Sequence, residues 1–511
     1  MNPISRRTLL GASLSAPVLA GLAACGASGG SSGSSSSTAT VRWVSSSEPT
    51  SWDLVVQGSG FQYNQLALVY TSLTTINEQG EAQPGLAKSW KYNAKGDAIT
   101  FSLREGLTFT DGSPVNSSAV RAYIARAQKQ ANSAIAGDLT SIKEVVAESD
   151  TEVTFRLAQV DYQIPLLLGQ RIAAITSEEA GRTPDGLTTK PVGHGPFKAL
   201  EIVPGAHAYF EKNPDYYDAA NIFIDRFELS WGIDAASVVS SVQTGVYDFA
   251  DVVASQVQAA KGAGLDVIEH PVNSASNLSI NANLAPFTDP RVVEAVRHAV
   301  NRDELLAKVN FGTGWKTSQP FPPGHIAYDP ESADPWPYDP EKARKILADA
   351  GYTENDARLE IPFVVPTDAA SNEILQAQLA AVGIKAAIKV DTNWQTPFFA
   401  KDLVLSTYGT TGRESPVQTL TAHFGPQGPL NLSGPFTSKE FQRRVAIARQ
   451  TPLEDPDYAK NLQAATRAGV RDTATVFTIG APTLFAKTKR LTAIPPVPGQ
   501  VHWTGVKIQA D

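Results

Sequence analysis

The sequence predicts an α/β protein with more than one domain, and three observations carry that expectation. At 511 residues the chain exceeds the size at which a single hydrophobic core usually keeps growing, so two or three domains are expected. Leu359 to Val365 reads as a strand, Ala369 to Val382 as a helix stopped by Gly383, and Ile384 to Val390 as a second strand. That βαβ unit implies a parallel pair with a right-handed crossover. The third observation is Leu278 to Val309, where a strand runs into a well-signalled helix. Ser279, Asn281 and Asn283 alternate with Leu278, Ile280, Ala282 and Leu284, the period of a strand with one buried face. Asp289 can accept a free amide hydrogen bond, and Pro290 lacks the N–H that a first helical turn cannot use. Val292, Val293, Val296, Ala299 and Val300 then share a helical face, with Arg291, Arg297 and Arg302 elsewhere. This firm joint suits a crossing between domains or an ordinary strand and helix inside one.

Hydrophobic residues make up 42% of the chain and charged residues 18%, which fits a globular body. The net charge of −8 argues against nucleic acid as the main partner, because that affinity rests on clustered Lys and Arg. The N-terminus reads as targeting sequence. Arg6 and Arg7 precede a short apolar run that contains Pro17 and Gly21 and ends in Leu22-Ala23-Ala24-Cys25. Such a run suits an export signal better than a membrane span. The paired arginines resemble a twin-arginine export signal, and the Cys25 box resembles a bacterial lipoprotein processing site, which leaves Cys25 first and lipidated. Cys25 is the only cysteine, so the mature body is expected to hold no disulfide and no thiol catalyst. Residues 26–38 form a Gly/Ser tether spanning roughly 20 Å by chain statistics. Its Gly26-x-Ser28-x-Gly30 match to a nucleophile elbow lacks the required strand and helix.

Along the body, Thr40 to Val44 is a short strand, broken by Glu48-Pro49, and Leu66 to Thr75 reads as helix or strand. Leu86 to Val120 reads as a meander with turns at Lys95-Gly96-Asp97 and Asp111-Gly112, followed by a helix from about Asn116. Asp339-Pro340 opens another capped helix, with Ala343, Ile346, Leu347 and Ala350 on one face and Gly351 as its stop.

Motifs in this body resemble those of the family 5 extracellular solute-binding proteins, receptors of ABC importers for peptides, nickel and related solutes. They are Leu86-Ala87-x-Ser89-Trp90, Phe101-x-Leu103-Arg104-x-Gly106-x-x-Phe109-x-Asp111-Gly112 and Gly193-His194-Gly195-Pro196-Phe197. Asn213-Pro214-Asp215-Tyr216-Tyr217, Gly245-Val246-Tyr247-Asp248, Pro286 to Asp303 and Tyr338-Asp339-Pro340-Glu341-Lys342-Ala343 follow in the family's order. The resemblance implies a two-lobed periplasmic-binding-protein-like α/β fold of type II, with a subdomain inserted in the first lobe. On that basis residues 1–24 are the signal peptide and 25–38 the lipidated cysteine and linker. Lobe 1 is 39–60, 190–275 and 482–511, the insert is 61–189, and lobe 2 is 276–481. The tail bearing Val501-His502-Trp503 returns to lobe 1.

The resemblance also implies the site. In peptide-binding relatives an acid in an Asp-x-x-Asp-Pro-like loop pairs with the peptide's amino terminus. Here Thr410, Thr411 and Gly412 stand about where that acid belongs, and Arg413-Glu414-Ser415-Pro416 replaces the acidic ending. Glu414 can take an ammonium group, Arg413 can grip a carboxylate through two parallel hydrogen bonds, or the two can face solvent or pair with each other. The altered loop widens the ligand from a small peptide to an oligosaccharide, opine or metal chelate. Tyr408 and Trp394 suit stacking, and Thr410 and Thr411 suit hydroxyl bonding, although each aromatic also fits a core. Glu48 and His194 complete the candidate set, His194 standing where relatives carry Thr.

No metal site or cofactor is expected, since the 7 histidines show no ligand spacing. The competing class is a secreted hydrolase. No spacing among the 51 acids singles out a catalytic pair, and no His-Glu-x-x-His, P-loop or dinucleotide motif occurs. The expectation is a monomeric, lipid-anchored, non-enzymatic receptor outside the cell membrane that passes its ligand to an ABC permease.

Overall fold

The computed structural model describes residues 38–57, 59–367, 369–410, 412–434 and 438–509. The export signal with Arg6 and Arg7, the lipidation position Cys25, the tether up to residue 37 and Thr411 lie outside the described residues.

Three sheets organise the body. A seven-stranded sheet runs Asp266–His270, Thr483–Lys487, Phe249–Asp251, Thr40–Val44, Arg226–Ser230, His207–Lys212 and Phe197–Val203. Its central strand, Thr40–Val44, is parallel to both neighbours, and its other pairings are antiparallel. Trp503 from the chain's last segment packs on this sheet, 4.7 Å from Phe227 and 5.3 Å from Phe249 between ring centroids. The C-terminal tail thus returns to the sheet that contains the first strand. A four-stranded antiparallel sheet, Ala87–Tyr92, Ala98–Leu103, Glu152–Leu157 and Ile142–Ala147, carries the helix Ser117–Lys129 over its core. Asn116 caps that helix by accepting from the Ala119 amide, as the sequence leads one to expect. Arg126 in the helix binds Asp53 through two 2.7 Å hydrogen bonds, tying this layer to the loop after the first strand.

The third sheet has five strands, Lys385–Val390, Glu360–Val365, Leu405–Thr410, Ala275–Ile280 and Val476–Phe477. The expected βαβ unit is there: Glu360–Val365 and Lys385–Val390 are parallel, with the helix Ala370–Ala380 between them. The helices Pro290–Ala299 and Pro340–Asp349 begin where the Asp-Pro pairs predict, with Asp289 and Asp339 accepting from backbone amides.

Tyr63, Leu66 and Leu68 pack into the core under the seven-stranded sheet. The structure departs from the sequence reading in three places. Leu66 to Thr75 is neither one helix nor one strand, but a short helix Tyr63–Leu66 followed by the strand Thr74–Ile76. The strand Ala275–Ile280 does not alternate between a wet and a dry face, because Asn277 and Ser279 are buried too and bond to each other at 2.6 Å. Arg297 and Arg302 are also buried. Arg302 donates to the carbonyls of Thr317 and Phe477, and Arg297 lies 3.9 Å from the Trp336 ring centroid. Burial lowers both guanidinium pKa values to about 10.

The chain passes between the two larger sheets at residues 271–274, just ahead of the joint identified in the sequence, and returns at 481–482. The two passes touch. A Cβ on Gly480 would lie 2.5 Å from the Ser274 carbonyl oxygen, so only glycine lets the strands approach this closely.

Candidate functional site

A cavity of about 700 Å³ lies where these bodies face one another across the crossover. The strand Asp266–His270 contributes His270, the crossover contributes Asn273, the short helix Tyr63–Leu66 contributes Tyr63, and the four-stranded sheet contributes Trp90. Tyr458 and the segment 322–326 come from the body of the five-stranded sheet.

At the buried side stand charged groups from opposite bodies. Arg171 belongs to the short helix Arg171–Ala173, and Asp138 to Ala136–Leu139. Glu414 and Arg413 belong to the loop between the strand Leu405–Thr410 and the helix Pro416–Phe424. The Arg171 guanidinium donates to Glu414 at 2.7 and 3.3 Å, and to Asp138 at 3.2 Å. Asp138 also accepts from the Gln418 amide at 2.6 Å and from Arg413 at 3.5 Å. The Arg171 and Glu414 side chains are only 6% and 3% exposed, so the pair is effectively out of water. Burial raises the Glu414 pKa against the pull of Arg171. Arg171 is held above its ordinary value: burial opposes this, but Glu414 and Asp138 prevail.

Further contacts close the same seam. Tyr458 Oη donates to Gln163 Oε1 at 2.8 Å, and the Tyr162 amide donates to the Arg449 carbonyl at 3.0 Å. Arg449 also lies 3.8 Å from Asp161, whose pKa burial pushes up to about 6 despite that arginine. Leu453 packs against the small apolar cluster of Ile76, Leu166 and Val497. The bodies are therefore shut on the cavity.

The loop that presents Arg413 and Glu414 is tightly specified. Gly412 has φ +83°, and a Cβ there would lie 2.5 Å from Asn273 Cβ in the crossover. Ser415 caps the following helix by accepting from Gln418, and the Arg413 amide donates to Thr419 Oγ1 at 3.2 Å. Behind the loop, His423 is fully buried with neither ring nitrogen bonded. Burial, with Arg413 adding to it, lowers its pKa to about 3.

Residues 81–431 match the family described as bacterial extracellular solute-binding proteins, family 5 Middle. The chain belongs to this family. The glutathione-binding protein GsiB of Salmonella typhi is 28% identical over 325 residues, 62% of this chain and 63% of GsiB. The GsiB of Escherichia coli O157:H7 is 29% identical over 324 residues, with the same coverage. The chain thus spans somewhat less than two thirds of the length of these curated relatives. The fold is shared with HbpA2 of Haemophilus parasuis, at TM-score 0.78 and 22% identity, covering 92% of this chain and 100% of that one. It is shared also with AgaA of A. tumefaciens R10 in complex with agropinic acid, at TM-score 0.79, 22% identity and coverage of 92% and 99%. DppA of Helicobacter pylori in complex with the peptide STSA gives TM-score 0.79 at 20% identity, covering 92% and 98%. The fold is that of the family 5 binding proteins, a mixed α/β architecture with several sheets.

Against this family 5 frame, the expected site residues divide. Arg413 and Glu414 line the cavity, and they neither pair with each other nor face open solvent, because partners on the opposite body take them up. Thr410 stands outside the lining and accepts from the Gly412 amide through its hydroxyl. Trp394 and Tyr408 are also absent from the cavity wall. They form an aromatic cluster with Phe398, Tyr408 stacking on Phe398 at 5.4 Å. Glu48 accepts from the Gly205 amide at 2.7 Å, which pins a hairpin away from the cavity. His194 is 0% exposed, with Nδ1 donating to the Thr108 carbonyl at 2.7 Å and Nε2 accepting from the Tyr217 amide at 3.3 Å. Burial lowers its pKa, so it is a neutral internal strut.

The sequence reading missed Arg171 and Asp138. Arg171 had a signal: it is the lone charge in the apolar run from Ile164 to Ile175, where a charge without a partner is costly. Among the described residues, no three His, Cys, Asp or Glu side chains converge as a metal site. None of the described helices is long and apolar enough to cross a membrane.

Proposed function

We propose that the protein is the solute receptor of an ABC importer, capturing a small peptide or related polar solute between two lobes and delivering it to a membrane permease. The observation that carries this reading is the cavity shut between opposing bodies, with a buried ion pair, Arg171 to Glu414, spanning the seam. A ligand held from both sides binds the closed state better than the open one, and that difference in affinity drives closure. Relatives and fold neighbours named for glutathione, agropinic acid and peptide ligands support solutes of this size and polarity.

In this reading residues 39–60, 190–275 and 482–511 form lobe 1, 61–189 its insert and 276–481 lobe 2. The receptor is monomeric and carries out no covalent chemistry. Export through the twin-arginine signal and lipidation at Cys25 hold it at the outer face of the cell membrane. Replacing Cys25 by Ser releases it from the membrane fraction; retention of the variant there overturns the anchor.

A thermal-shift screen of the mature protein against peptides, oligosaccharides, opines and nickel chelates tests the receptor reading. A ligand at 100 times its dissociation constant adds about 2.7 kcal/mol to stability. Turnover of a glycoside or ester, with no solute that stabilises the protein, overturns it.

A further inference from the structure

We infer that the ligand is gripped through an anionic group, a carboxylate, by Arg413, so that its negative end and not an ammonium end lies at the buried side of the cavity. The inference rests on the receptor reading and specifies the chemistry of the same site.

The hydrogen bonds around Arg413 carry the argument. An ammonium ligand at this side needs an acid with capacity to receive it. Glu414 is 3% exposed and takes two hydrogen bonds from Arg171, at 2.7 and 3.3 Å. Asp138 is 13% exposed and takes Gln418 at 2.6 Å and Arg171 at 3.2 Å. Both acids are therefore already charge-paired with Arg171, and an incoming ammonium would compete with that guanidinium for the same carboxylates inside a dry site.

Arg413 is placed differently. Its ion pair to Asp138 is 3.5 Å long and falls on Oδ2, the same oxygen that Arg171 already uses. Its side chain is 23% exposed and lines the cavity. A guanidinium carries five N–H donors in a planar fork, so one long bond to a shared oxygen leaves most of those donors available to whatever fills the cavity. A carboxylate matches such a fork with two parallel hydrogen bonds.

The mounting is rigid enough to aim it. The Arg413 amide is tied to Thr419 Oγ1 at 3.2 Å, and Gly412 locks the loop against Asn273. Glu78, Glu81 and Glu454, on the exposed part of the wall, supply the opposite pole. The cavity is thus polarised for a zwitterion, with its carboxylate inward and its cationic or hydroxylated end outward.

The test titrates the mature protein calorimetrically with dipeptides, tetrapeptides and sugar–amino acid conjugates, each as free acid, primary amide and N-acetyl derivative. The expected result is that amidation of the carboxylate weakens binding by at least roughly thirtyfold, the usual effect of losing one partner of a desolvated charge pair. N-acetylation is expected to weaken it far less. Arg413→Gln should reproduce the loss for the acid and leave the already weak amide unchanged, while Arg413→Lys recovers part of it. Because the Asp138 contact is long, Arg413→Gln should melt within about 2 °C of the parent, so lost binding is not lost folding. A best ligand with no anionic group, an amide bound as tightly as its acid, or N-acetylation as the damaging change overturns the inference and leaves the receptor reading standing. Failure of every solute in every form to bind overturns both.

Discussion

Glu414→Gln keeps the side chain's shape and one hydrogen-bond acceptor but removes the charge that faces Arg171 across the seam. Removing one member of a buried ion pair costs about 3–5 kcal/mol when nothing takes its place. Here Arg171 keeps Asp138 at 3.2 Å and gains an amide oxygen, so about 2 kcal/mol is the appropriate figure. In the open state both groups are hydrated, so the penalty falls on the closed state and lowers the closed-to-open ratio roughly thirtyfold. Affinity for a ligand that needs the closed state drops with the closed fraction. The assay is a spin-label distance measurement on the ligand-free protein, with Cys25 replaced by Ser and cysteines introduced at Lys88 and Lys460. Those side chains are 50% and 82% exposed, one on each side of the seam. The parent should give a short-distance population beside a longer one, and the variant should lose the short-distance population until saturating ligand restores it. A variant as closed as the parent refutes the view that this pair holds the seam.

Three further perturbations follow from neighbouring groups. Burial raises the Asp161 pKa from its ordinary 3.8 to about 6, so this group's contribution to stability is fully present below pH 3.8 and is lost as pH rises through 6. Asp161→Asn should therefore add about 1–3 kcal/mol at pH 7.5, allowing for its weaker pairing with Arg449, and nothing at pH 3.8; denaturant titration at both pH values checks it. His423 shows the opposite sign, because a histidine held down near 3 supports the fold above pH 6.5 and loses that support as pH falls. Between pH 7.5 and 5 the parent should lose about 2 kcal/mol more than His423→Leu, and equal losses in the two would refute the assignment. Gly412→Ala, which forces a side chain at φ +83° into Asn273, should weaken ligand binding at least tenfold by displacing the Arg413 loop. Gly409→Ala meets nothing nearer than Ser276 Oγ at 3.7 Å and serves as the silent control, measured in the same calorimetric titration.

Much of the fold was legible because local signals coincide with element ends. Asn116, Asp289 and Asp339 each cap the helix that the sequence places after them, and the βαβ unit of residues 360–390 appears with its parallel pair. Periodicity failed where a strand is covered on both faces. Both Asn277 and Ser279 are buried, with the Ser279 hydroxyl donating to Asn277 Oδ1, and polarity then no longer marks the wet side. Arg297 and Arg302 misled in the same way, since carbonyls and the Trp336 ring take the place of water. Half of the candidate site was legible for a related reason. The loop at Arg413 and Glu414 departs locally from a known pattern, and departures can be read one residue at a time. Its partners Arg171 and Asp138 are 243 and 275 residues away, from Glu414 and Arg413 respectively, and only the closed fold makes them neighbours. Trp394 and Tyr408 have the chemistry of a binding wall, but Phe398 gives them an apolar alternative that spacing does not reveal.

The charge arrangement at the seam bears on how such a receptor would cycle. Two arginines and two acids meet there, so the closed site is neutral as a group before any ligand arrives. A site with an unmatched buried charge would stay open until a counter-ion entered, because closing would strand that charge out of water. Here Arg171 and Glu414 let the bodies shut unaided, and the ligand's task is only to bias an equilibrium that already includes the closed form. Arg413 supplies that bias, since its contact to Asp138 is the longest in the group and the easiest to improve. An anionic group that binds the fork strengthens the closed state without dismantling the pair beside it. Release then requires only that the bodies part, at which point Arg171, Glu414 and Arg413 all regain water and the ligand loses the walls that held it.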